Sequence, residues 1–156
     1  MVERIISFLE QIGLQVHRGP LTTTTILPGV TVDCGALVVD LDKLLWPGDL
    51  LHEAGHLAAL SPEQRAAASV NFGDDGGYEM AAIAWSWAAL CELGLDPSAI
   101  FHAAGYRGGA GALIENFSAG NYIGVPMLEW LGMTAQGTRA AELGVEPYPA
   151  MIRWVL

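Results

Sequence analysis

The sequence predicts an α+β domain, mainly helical, with a small N-terminal β-sheet. Three observations carry this prediction. Apolar residues recur at helical spacing over 3–13 and again from Trp46 onward. Thr and Val concentrate between residues 16 and 40. The chain of 156 residues is 52% hydrophobic and 15% charged, which suits one domain, 1–156, around one core and excludes disorder.

The elements follow in order. Ile5, Ile6, Leu9 and Ile12 line one face of a first helix that Gly13 ends. Two or three short strands are expected over 16–40, the last running from about Ala36 to Asp40. A helix then runs from about Trp46 to Leu60, with Pro47 in its first turn and Asp49 complementing the helix dipole. Ser61-Pro62-Glu63-Gln64 has the pattern of an N-cap, with Gln three residues after Ser. The short helix it opens is expected to reach about Val70. Residues 71–77 read as a loop, and Tyr78 to Leu93 as a long helix closed by Gly94. Asp96-Pro97 is expected to cap a helix to about Ala104. Shorter helices are expected near Ala112–Phe117 and Pro126–Leu131, followed by an extended tail with Pro147 and Pro149.

Composition removes several function classes. The net charge is −10, and the seven Lys and Arg residues are scattered. No basic stripe can track a phosphate backbone, so nucleic acid is not an expected partner. No apolar stretch reaches the roughly 18 residues that span a bilayer, so no membrane association is expected. The first residues, with Glu3, Arg4 and Glu10, read as an amphipathic helix and not as a secretion signal. Cys34 and Cys91 lack CxxC spacing and are expected to be reduced and mostly buried, which suits a cytoplasmic protein.

The chemistry-bearing motif is HEAGH, residues 52–56. On a helix, His52 and His56 stand one turn apart on the same face, so two imidazoles can converge on one cation. That pattern points to zinc, with Glu53 beside the ligands and able to reach a metal-bound water as general base. Leu50, Leu51, Ala54, Leu57 and Ala58 predict a buried helix, in which two His and a Glu would be costly unless satisfied. Gly55 costs about 1 kcal/mol of helix propensity relative to Ala, which close approach of a neighbouring element would explain.

A catalytic zinc usually takes three protein ligands. Ala59 and Pro62 stand where a metzincin needs Gly and His, which excludes that class. Glu79 is the best third ligand, a lone carboxylate in the apolar segment YEMAAIAWSWAAL. A Glu in the first turn of its helix would also be stabilised by the dipole alone. Asp74, Asp75 and His102 are the rivals. Tyr122 is the first choice of donor to a developing oxyanion, with Tyr106, Arg107, Asn121 and His102 as alternatives near the Gly-rich segment.

HEAGH followed by Glu79 resembles the gluzincin branch of the HExxH zinc metallopeptidases, over about residues 50–90. The segment EMAA, Glu79 to Ala82, is similar to the compact intracellular peptidases of the ImmA/IrrE type. The resemblance implies a zincin-like metallopeptidase domain, a hydrolase with His52, His56 and Glu79 as zinc ligands and Glu53 activating water. It also implies that the strand before the motif helix borders the cleft and could accept a peptide at its edge. No DNA-binding helix-turn-helix is identifiable, which leaves the substrate open between a peptide and one protein partner. The alternative is a non-catalytic zinc-binding module used for regulation or assembly.

Overall fold

The computed structural model describes residues 1–69 and 76–156. It has the expected α+β architecture. Helix α1 (Val2–Gln11) precedes three strands, β1 (Val16–Arg18), β2 (Val30–Asp33) and β3 (Ala36–Val39). Helices α2 (Asp49–Ala58), α3 (Pro62–Ala66) and α4 (Gly76–Leu93) follow. After two 3-10 turns, Pro97–Ala99 and Tyr106–Gly108, come α5 (Ala110–Ser118), α6 (Val125–Trp130) and α7 (Gly137–Leu143). Among the described residues, no helix is long and apolar enough to cross a membrane.

The sheet has the order β1-β3-β2, with β1 parallel and β2 antiparallel to β3. Cys34 and Gly35 join β2 to β3 with φ of +46° and +79°, the two positive values that a tight two-residue hairpin needs. The register pairs Val30 with Val39 and Val32 with Leu37. All four are buried, so they form the apolar face, and β2 and β3 both contact α2. This order corrects one expectation. β3 is the central strand and both its edges are taken, so no peptide can add to it. The sheet ends on β1 and β2.

Helix α1 buries Ile5, Ile6, Phe8 and Leu9 as its periodicity requires. Helix α4 is buried nearly all round, from Ala81 to Leu90. Trp85 and Trp87 leave it in different directions, and both are buried. Trp85 meets Phe8 and Trp154 and donates its indole N–H to the Trp154 carbonyl at 2.9 Å. Trp87 meets Phe101 and Phe117. The small residues of α4 let α2 come close. A Cβ at Gly55 would lie 2.9 Å from the Ala82 carbonyl oxygen and 3.0 Å from its Cα. Gly55 is therefore the crossing point of the two helices.

That contact yields a stability prediction. Gly55→Ala gains about 1 kcal/mol of helix propensity. It also presses a methyl group into backbone that cannot rotate away, at a cost of about 1–3 kcal/mol. The expected result is a net loss, read as a lower urea midpoint. A raised midpoint would remove close packing as the reason for this glycine.

Other expectations are corrected. Cys34 and Cys91 are both exposed, not buried. Helix α2 begins at Asp49, three residues later than expected, because 46–48 form the turn that leads into it. Ser61 forms the expected reciprocal cap with Gln64, but α3 stops at Ala66. Asp96 caps Ser98 at 2.9 Å, yet only one 3-10 turn follows instead of a helix to Ala104. Of the loop expected over 71–77, Gly76 and Gly77 belong to α4, and 71–75 lie outside the described residues. The tail is not wholly extended, since GTRAAEL forms α7 and Gly144, at φ +65°, ends it.

Candidate metal centre

His52 and His56 project from consecutive turns of α2, and Glu79 reaches them from the first turn of α4. The Nε2 atoms of the two histidines are 3.3 Å apart. His52 Nε2 lies 3.4 Å from Glu79 Oε1, and His56 Nε2 lies 3.1 Å from Glu79 Oε2. A cation bound tetrahedrally at zinc–ligand distances of about 2.0–2.1 Å separates its ligand atoms by about 3.3–3.4 Å. The two imidazole nitrogens match that spacing, and the two Glu79 oxygens each lie at a similar distance from one of them. The Gly55–Ala82 crossing makes this convergence possible, because Ala82 stands one turn after Glu79.

The histidine side chains are 12% and 10% exposed, whereas Glu79 is 44% exposed, so the group opens to solvent on the Glu79 side. Burial pushes His52 down to about 4, with repulsion from His56 adding and attraction to Glu79 opposing. The ring is thus neutral at pH 7, the form that ligates metal. The hydrogen bond with His56 holds the Glu79 carboxyl below its usual range, against partial burial. Glu79 also sits in the first turn of α4, so the dipole supports the same charge.

Glu53 behaves in the opposite way. Burial pushes its carboxyl up to about 7, with Glu79 and Asp49 adding and His56 opposing. It is the carboxylate whose proton exchanges near neutrality. A nearby cation would pull that value down.

The rival residues separate in space. His102 is buried and its Nε2 meets Asp49 Oδ1 at 2.9 Å, so it is not among the converging donor atoms. Asp74 and Asp75 lie outside the described residues. Tyr106 lies edge-on to His52, with ring centroids 5.8 Å apart and an interplanar angle of 87°. Tyr122 instead packs against Phe117 and Tyr148. Asn121 is exposed. Arg107 follows Tyr106 in the same 3-10 turn. Asp49 is the residue that sequence reasoning undervalued. It reads as a dipole complement, and its spacing of three before His52, on the same helix face, was the available signal.

Comparison with protein-family models, curated proteins and solved structures gave no match in any of the three. Among the described residues, His52, His56 and Glu79 form the one group able to hold a metal ion.

Proposed function

We propose that the chain is a gluzincin-type zinc metallopeptidase that holds one Zn2+ through His52, His56 and Glu79. The observation that supports this most is the convergence of His52 Nε2, His56 Nε2 and the two oxygens of the Glu79 carboxylate, each within 3.1–3.4 Å of a neighbouring ligand atom. Zinc would supply an activated water at neutral pH and polarise the scissile carbonyl. Glu53 would take the water proton and return it to the leaving amine, a task suited to a carboxyl pushed up to about 7. Tyr106 is the better donor to the developing oxyanion than Tyr122, because its ring contacts a ligand histidine. Burial raises the Tyr106 hydroxyl above its usual range, so it keeps the proton it must donate. The substrate class is a peptide or a protein segment, and the proposed setting is the cytoplasm.

Glu53→Gln tests the reading. The variant should keep one zinc per chain and lose peptide turnover by about 10²–10⁴-fold. Zinc-loaded wild type that cleaves nothing across broad peptide libraries would replace the enzyme with a zinc-binding module. Failure of the wild type to take up zinc would remove both.

A further inference from the structure

Asp49 and His102 stand 53 residues apart in sequence and meet at 2.9 Å, with side chains only 4% and 5% exposed. Two polar groups buried this deeply are costly, and removing one partner is costlier still. Neither residue reaches the three-donor group. Their place in the fold points to another task. Asp49 opens α2, the helix that carries His52 three residues later, so both occupy one face. His102 precedes the turn that carries Tyr106.

Several contacts hold the His102 ring. Trp46 stacks on it, with centroids 4.3 Å apart and planes 5° from parallel. The Gly105 backbone closes against it, since a Cβ there would lie 3.1 Å from Cε1 and 3.2 Å from Nε2. The Gly105 N–H also donates to the His102 carbonyl at 3.1 Å. The start of α2 touches the same segment, where a Cβ at Gly48 would lie 2.0 Å from the Ala99 carbonyl oxygen. Tyr106 then follows at φ +55°, a left-handed conformation that a non-glycine residue holds only when its surroundings fix it. The outcome is the edge-on contact of Tyr106 with His52.

We infer that the Asp49–His102 pair is a positioning device that fixes the turn 102–106 and thereby holds Tyr106 against the His52 face of α2. The Trp46 stack sets the plane of the His102 ring but not which ring edge faces α2. The Asp49 carboxylate sets that edge, and Gly105 lies directly on the ring it orients. Asp49 and His102 thus act through Tyr106. This inference rests on the metallopeptidase reading only for its purpose, since the positioning itself concerns the protein without metal.

The test is 19F NMR of protein labelled with 3-fluorotyrosine, which reports on four tyrosines. Tyr106→Phe assigns the Tyr106 signal. In Asp49→Ala and His102→Ala, that signal should move toward the position of a solvent-exposed tyrosine, while those of Tyr122 and Tyr148 stay in place. Asp49→Asn keeps an acceptor for the imidazole and should restore the wild-type signal. A Tyr106 signal unchanged in both alanine variants overturns the inference, as does a common shift of all four signals. Should the alanine variants fail to fold, the paired exchange Asp49→Leu with His102→Phe leaves no buried polar atom behind. Its Tyr106 signal should broaden or move, and a sharp wild-type signal would show that packing alone positions Tyr106. Addition of Zn2+ to wild type should shift the Tyr106 signal through His52. Absence of zinc binding would remove the metal reading while the metal-free spectra still decide the positioning role.

Discussion

Glu79→Ala is expected to lower zinc affinity by far more than the roughly 10–100-fold that follows loss of an outer-sphere partner. The reason is both geometric and electrostatic. Two imidazoles at 3.3 Å supply only two of the three ligand side chains, and Glu79 supplies the third. It also supplies the negative charge of the group. Competition against a chromophoric chelator at pH 7 measures the loss. The fold should survive, because the Glu79 side chain is 44% exposed and lies in the first turn of α4, outside the core. Circular dichroism of the metal-free variant checks this. Unchanged affinity would move the third ligand to Asp74 or Asp75, since His102 is engaged by Asp49.

The parts of this site that can be read from sequence are those encoded over one or two helical turns. HEAGH places two histidines on one face by spacing alone, and the surrounding Leu and Ala residues place that helix in the core. Glu79 is conspicuous because so little else in its helix is charged. The Ser61 cap is legible for the same reason, being complete within four residues. Features built across the chain are not legible in this way. The Asp49–His102 pair joins residues 53 apart, and neither local context announces a partner. The choice between Tyr106 and Tyr122 depends on which loop turns inward. The parallel pairing of β1 with β3 is equally non-local, and it alone decides that β3 has no free edge.

Two local readings failed, for different physical reasons. After Asp96-Pro97, the chain carries an N-cap pattern but buries Ile100, Phe101 and His102 in succession. Only the turn Pro97–Ala99 forms, and the three side chains after it enter the core. The cysteines fail differently. Small and mildly apolar, they are buried in most folds. Here Cys34 occupies a hairpin tip, where the backbone demand of the turn outweighs the side chain's preference.

Gly124→Ala is expected to destabilise the protein by about 3 kcal/mol or more, and to weaken zinc binding with it. Gly124 caps α6 at φ +76°, where a side chain costs about 1–3 kcal/mol. A second penalty is added by position. A Cβ there would lie 1.9 Å from the Met80 carbonyl oxygen and 2.3 Å from its carbon. Backbone cannot rotate out of the way, so α6 and the start of α4 must separate. Met80 directly follows Glu79, and the opposite side of this segment is pinned by Gly55 against Ala82. Glu79 is thus carried on a turn gripped between two glycine contacts, and movement of that turn must open the ligand group. Gly120→Ala supplies the control, since Gly120 has φ +79° and a methyl group there would meet nothing within 4 Å. It should lose only the conformational term and keep its zinc affinity. Urea unfolding of the two metal-free variants gives the difference, which measures the contact itself. Equal losses in the two would show that the grip on α4 contributes nothing to stability, and zinc titration of the same pair would show whether it holds Glu79 in place.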